Sequence, residues 1–369
     1  MRRGRLRTPR PAPSSPVGCV RQRRCGQVEL GIRSRLALVA AAFTALAAVV
    51  TTPAISQARI RTLTFSYRSH SGATRTAYLV LPAWYGPARH PSLPLVISPH
   101  GRGVDGAYNL RFWGALPAEG PFALVSPDGQ GRKLALYSWG YQGQIDDLAR
   151  MPALARTAFP WLTLDARRVF AIGDSMGGQE ALLLAGRPDA RLAGVAAFDP
   201  VTDMGARYRK WFVTAGERKL PARARIEFGG TPAELPKKYA ARSPASQLAE
   251  IARNGIPLQL WWSRRDAVVT DQAQETGAFY RRLAELAPTV PIQEIVGYWE
   301  HAHEMHPGTQ LRPALACFGL LPAAGIRVPA YLPLRQRNAP VEELPPERAR
   351  APVPFDRAFC GRSTVRRGR

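Results

Sequence analysis

The chain is short of cysteine, lysine and acidic side chains, and each shortage excludes something. Only four cysteines occur in 369 residues, two of them (Cys19 and Cys25) in an Arg/Pro-rich leader. A dense disulfide framework is therefore excluded, and Cys317 and Cys360 remain as the one pair beyond that leader. Against 51 basic residues stand 27 acidic ones, a formal charge of +24. Such a balance ordinarily points to nucleic acid or an anionic membrane surface. Here lysine supplies very little of it, and no aromatic–basic interleaving or nucleic-acid module is present. The charge therefore reads as compositional bias towards arginine, and no nucleic-acid partner is expected. Internal repeats are also lacking. No apolar run reaches the roughly 20 residues of a membrane span; Leu36 to Val50 is about fifteen residues long.

That run has a context. Arg33-Ser34-Arg35 precedes it, and Thr51-Thr52-Pro53 and Ser56-Gln57-Ala58 follow, which is the basic, apolar and small-residue order of a secretory signal. Residues 1–58 are assigned to a basic leader and signal peptide, with an uncleaved anchor as the alternative, and the protein is expected outside the cytoplasm. Loss of that segment removes ten arginines and one glutamate, leaving a charge of about +15. In an oxidising exterior Cys317 and Cys360 can pair, pinning a Pro/Arg-rich tail, 335–369, to the body, 59–334.

Hydrophobic residues make up 46% of the chain, enough for a large core. Arg59 to Ser69 and Thr74 to Pro82 alternate β-branched and aromatic residues around Ser71-Gly72, the pattern of an N-terminal hairpin. Leu93 to Ser98 and Phe122 to Ser126 read as buried strands, Asp146 to Ala158 as a helix, Arg168 to Ile172 as a strand running into a helix over Gly177 to Ala185, and Leu192 to Phe198 as a further strand. From Thr202 to about Ala241 the pattern gives way to Arg/Lys-rich, Gly/Pro-punctuated sequence. That segment is either an insertion over a site or a peripheral helical excursion. Beyond it come a helix from Ser243-Pro244 to Ala252, a strand to Trp262, an amphipathic helix over Ala273 to Ala287, a strand over Pro291 to Val296 and a helix over Gln310 to Leu320. Strands alternating with helices predict an α/β fold with a mostly parallel sheet covered on both faces.

In such sheets ligands gather at the carboxyl ends of the strands. Gly173-Asp174-Ser175-Met176-Gly177 fits a G-x-S-x-G turn that exposes a serine between strand and helix. His100-Gly101-Arg102-Gly103 follows an earlier strand, and its backbone amides, with that of Met176, suit an oxyanion site. Asp266 and His301 follow the last two strands, so serine, acid and base occur in the chain order that this architecture requires. Asp199, Asp203 and Asp271 also offer carboxylates, and no physical rule chooses among His301, His303 and His306. His100 precedes the serine and is expected to be structural. A zinc reading of the histidine cluster fails at Met305, so no metal and no cofactor are expected. Trp139, Tyr141, Tyr298 and Trp299 stand near strand ends as candidate walls of an apolar subsite.

Those residues resemble secreted α/β-hydrolase-fold serine hydrolases of the prolyl-oligopeptidase-like, polyester-depolymerase and feruloyl-esterase type, over about Arg59 to Leu321. In that likeness Trp299, His301, Glu304 and Met305 match a late histidine loop, which favours His301 as base. Two departures stand out: Ser263-Arg264-Arg265 replaces the glycine-containing turn usual before the acid, and no β-propeller precedes the domain. The resemblance implies an esterase that acts on a small or polymeric ester. A peptidase with the same machinery, or a non-catalytic binder of anionic envelope polymers, is the alternative.

Overall fold

The computed structural model describes residues 59–302, 305 and 311–322. The expected leader, the tail, Cys360, His303 and His306 lie outside the described residues.

Eight strands form one sheet in the order β1-β2-β4-β3-β5-β6-β7-β8. They are β1 (Ile60–Arg68), β2 (Thr74–Pro82), β3 (Leu93–Ile97), β4 (Ala123–Pro127), β5 (Leu164–Asp174), β6 (Gly194–Phe198), β7 (Leu258–Ser263) and β8 (Ile292–Gly297). The hairpin β1–β2 and the β2–β4 pair are antiparallel, and every other pairing is parallel. Composition explains where each strand sits. β3, β4, β6 and β7 are buried along their whole length, as continuous apolar runs covered on both faces must be. Exposure in β1 alternates along the strand, and it takes the edge.

The connecting helices are α1 (Gly106–Trp113), α2 (Leu116–Glu119), α3 (Gln142–Ala158), α4 (Ser175–Ala185), α5 (Met204–Lys210), α6 (Leu220–Phe228), α7 (Pro236–Ala241), α8 (Leu248–Asn254), α9 (Thr276–Leu286) and α10 (Leu311–Cys317). The sequence pattern missed α1 and α2, whose Gly and Pro content masks their periodicity. In the structure Asp105 caps α1 by accepting the Tyr108 amide at 2.7 Å. One core cluster lies on the sheet face covered by α3, α4, α8 and α9, and a second packs α1 and α10 against the other face. Helix α4 is buried at every position, Gln179 and Glu180 included; Gln179 donates to the Arg242 carbonyl and Glu180 accepts the Ser138 hydroxyl.

Between β6 and α8 the irregular stretch is helical, and it forms a third cluster of its own. Trp211, Leu220, Phe228 and Tyr239 pack there with Trp139, Met176 and Val269. Phe228 stacks on Tyr239 with ring centroids 4.0 Å apart. Since Met176 adjoins the elbow serine, α5, α6 and α7 form a cap above the strand ends. The two readings of this stretch thus merge: it is a helical excursion, and it sits over the site.

Candidate active site

β5 runs into α4 with no loop between, and Ser175 takes the strain of that turn with φ at 53°. Glycine makes the approach physically possible. A Cβ on Gly173 would lie 2.7 Å from the Gly177 carbonyl carbon, and one on Gly177 would lie 2.3 Å from the Pro99 oxygen. Ser175 is nearly buried at 9% exposure. The amide of Met176 belongs to the first turn of α4, where N–H groups have no intrahelical partner and the helix dipole is positive.

The loop after β3 is fixed by a buried, neutral histidine. His100 Nε2 accepts the Gly129 amide at 2.8 Å, which places the proton on Nδ1, 2.8 Å from the Gly101 carbonyl. Burial also pushes this imidazole below its ordinary value. His100 is thus a structural residue, as expected. One expected oxyanion donor needs correction: the Gly103 amide already donates to the Leu136 carbonyl at 2.8 Å. With φ at +75°, Gly103 serves to turn the chain, and its amide is already engaged.

Asp266 and His301 meet. Asp266 Oδ2 lies 2.8 Å from His301 Nδ1, while its Oδ1 accepts the amides of Val268 and Val269, each at 2.8 Å. An imidazole held at Nδ1 in this way can accept a proton at Nε2. Burial pushes His301 down, but the charge and hydrogen bond of Asp266, helped by Asp199 and Asp174, prevail and lift it to about 9. Asp174, next to Ser175, is buried with one carboxyl oxygen lacking a partner. Its burial outweighs the opposing pull of His301 and pushes its carboxyl up to about 6.

The other candidate carboxylates have separate tasks. Asp203 caps α5 through the Ala206 amide at 2.9 Å, and Asp271 pairs with Lys210. Asp199, at the end of β6 with φ at 42°, accepts the amide of Ser263 at 2.8 Å and that of Ala302 at 3.1 Å. It ties the acid loop to the histidine loop. Ser263 adds a second tie, its hydroxyl bonded to both the carbonyl and the amide of Trp299. Donor atoms of Asp199, Asp266 and His301 lie within 4.8 Å of one another. Each carboxylate oxygen in that group already accepts a hydrogen bond, so the group reads as a hydrogen-bonded network.

Of the four aromatic candidates, Trp139 lines a cavity beside Ser175, together with Arg102, Arg207, Trp211 and Glu217. Trp299 is corrected: it is 1% exposed and belongs to the core packed against α10. Gly297 makes this possible, since a Cβ there would fall 1.6 Å from the indole ring. Tyr141 stands edge-on to His70 and under Arg242, and neither it nor Tyr298 lines the cavity. Cys317 is disulfide-bonded. Sequence reasoning missed Ser263, Arg207 and Glu217, and Asp199 appeared only as an alternative acid. Its place directly after a buried strand was the available signal.

No family model and no curated protein matches the chain. Solved structures do match. The acylaminoacyl peptidase of Pyrococcus horikoshii is 14% identical over 68% of this chain and 39% of its own, with a TM-score of 0.51. A putative dipeptidyl aminopeptidase IV of Bacteroides ovatus is 16% identical over 67% of this chain and 33% of its own, with a TM-score of 0.50. The S-formylglutathione hydrolase of Staphylococcus aureus is 16% identical, covering 66% of this chain and 92% of its own at a TM-score of 0.48. The chain thus spans little more than a third of the two peptidases. With its strand order, elbow and strand-end loops, it has the α/β-hydrolase fold.

Proposed function

We propose that the protein is a serine hydrolase that cleaves carboxylic esters through an acyl-enzyme on Ser175. The observation that carries this reading is the His301–Asp266 pair, set after β7 and β8 of the same sheet whose β5 runs into a strained serine. Ser175 Oγ attacks the ester carbonyl as His301 Nε2 accepts its proton. Amides of Met176 and the Gly101-Arg102 turn hold the oxyanion, and loss of one such donor costs about 3 kcal/mol in barrier. Collapse expels the alcohol, which takes the proton from His301. Water then repeats the sequence on the acyl-enzyme.

The proposed setting is extracytoplasmic. The basic-apolar-small order over 33–58 and the disulfide at Cys317 support it, since such bonds persist in oxidising compartments. Among the described residues no helix is long and apolar enough to cross a membrane.

A fluorophosphonate probe tests the nucleophile: the folded protein should label at Ser175, and Ser175→Ala should abolish labelling. Labelling elsewhere, or none, defeats the reading. Paired 4-nitrophenyl esters and peptide 4-nitroanilides test the bond. Faster turnover of the anilides would make the protein a peptidase.

A further inference from the structure

From Met204 to Gly230, α5, α6 and the loop between them carry seven basic residues and two acidic ones, a local charge of +5. An arginine-rich composition accounts for many bases anywhere in the chain, but not for the state of these two acids. Glu217 pairs with Arg102 at 3.0 Å, and Glu227 is buried against the amides of Arg132, Lys133 and Leu134 and the guanidinium of Arg242. Neither carboxylate is left to offset the outer charge. Two of the bases are used internally: Arg207 is 1% exposed and bonded to Thr270, and Lys210 pairs with Asp271. Arg209, Arg218 and Lys219 are exposed, with no hydrogen bond or ion pair among the described residues.

The same stretch holds three of the seven large hydrophobic side chains that stand exposed among the described residues: Phe212 at 52%, Val213 at 77% and Ile226 at 52%. Single exposed apolar residues are ordinary, but a cluster ringed by charge marks an interaction surface. Tyr208 draws this cluster together. The Phe212 ring stands edge-on to it with centroids 5.5 Å apart, and Arg225, beside Ile226, donates to its hydroxyl at 3.2 Å. The loop between α5 and α6 has two sides. Trp211 and Glu217 line the cavity beside Ser175, whereas Phe212 and Val213 stand in water.

We propose that the outer surface of the cap, centred on Phe212 and Val213, docks onto an anionic lipid surface. The apolar pair enters the boundary between headgroups and acyl chains, and Arg209, Arg218 and Lys219 stay at the level of the phosphates. A polyanion such as a nucleic acid would meet the bases but leave Phe212 and Val213 in water. A second copy of this chain would cover the apolar pair but bring two surfaces of the same positive charge together, which is unfavourable. An anionic lipid surface satisfies both kinds of side chain.

This docking does not rest on the serine-hydrolase reading, and vesicle binding tests it without turnover. The full chain is titrated with vesicles of phosphatidylcholine and with vesicles of equal parts phosphatidylcholine and phosphatidylglycerol. Binding to the anionic vesicles should be at least tenfold tighter, and it should weaken as salt screens the bases. Phe212→Ser with Val213→Ser should weaken that binding at least tenfold, and Arg218→Gln with Lys219→Gln should remove most of the preference for anionic lipid. All these positions are exposed, so each variant should keep the circular dichroism and Tm of the parent. The apolar run 36–50 is common to every variant, so differences between variants report the cap. Ser175→Ala should bind as the parent does. Equal binding to the two kinds of vesicle overturns the proposal. So does anionic binding that survives the loss of Phe212 and Val213, which would define a surface for a polyanion. A parent that sediments as a dimer and becomes monomeric in the Phe212→Ser, Val213→Ser variant would instead make this surface a contact between copies.

Discussion

His301 and Asp174 are opposite cases of one physical effect, because burial opposes the charged form of both and only His301 has a hydrogen-bonded charge partner strong enough to prevail. His301 gains Asp266 and rises to about 9, above its unfolded value of about 6.5. Its ion pair therefore stabilises the fold fully below about pH 6.5, and that contribution fades as pH rises through about 9. A protonated imidazole cannot take the serine proton, so kcat/KM should climb with pH towards about 9. Asp266→Asn should shift that limb downward and cut kcat a thousandfold or more by releasing the ring tautomer. A limb unmoved by the substitution would remove Asp266 from its assigned role. Asp174 is raised to about 6 with no donor on one oxygen. Its cost grows as pH rises above its unfolded value and is complete above about pH 6. Asp174→Asn should therefore stabilise the protein at pH 8 by at most about 3 kcal/mol and have little effect at pH 4. Urea unfolding at the two pH values measures both.

At the scale of elements, what matters is how strand ends are held together. Asp199 takes one amide from the last residue of β7 and one from the loop after β8, and Ser263 itself links the end of β7 to that loop again. Asp199→Ala leaves two buried amides unmet, a loss of about 2–5 kcal/mol in stability. It should also lower kcat more than it raises KM, because the His301 loop loses its register; an unchanged kcat with lowered stability would make Asp199 purely structural. These ties explain what the sequence made legible. The serine elbow could be read from local pattern, β-branched runs and glycine flanks, and the acid and histidine loops from chain order, whereas the choice of His301 over His303 and His306 rested on the family likeness alone. Boundaries moved by a few residues, with the helix read from Asp146 starting at Gln142. Trp299 was misread because its burial depends on the missing side chain of Gly297, a contact across a turn that no periodicity encodes. Arg207 was invisible for a related reason: in a cationic chain, one more arginine on an irregular stretch carries no pattern.

Over the whole molecule, apolar burial divides into two clusters around the sheet and a third that belongs to the cap. Besides the apolar cluster it shares with Trp139, Met176, Val201 and Val269, the cap is fastened by a buried carboxylate. Glu227 on α6 accepts the amides of Arg132, Lys133 and Leu134, and Arg242 approaches it at 3.3 Å. Charge-assisted bonds of this kind contribute about 1.5–3 kcal/mol each, whereas the sheet is held by continuous ladders between strands buried on both faces. Opening should therefore come in two tiers. Native-state hydrogen exchange is expected to find the amides of β3, β5, β6 and β7 exchanging last and those of α5 to α7 exchanging through a cheaper, separate opening. Glu227→Gln should lower the protection of the cap at least tenfold and leave the sheet unchanged, because Glu227 holds the cap to the 132–134 loop and makes no bond to a sheet strand. Equal losses in both regions would mean that the cap and sheet unfold as one unit. In that case substrate would have to reach Ser175 by side-chain motion alone, with Glu217 moving away from Arg102 while the helices above stay in place.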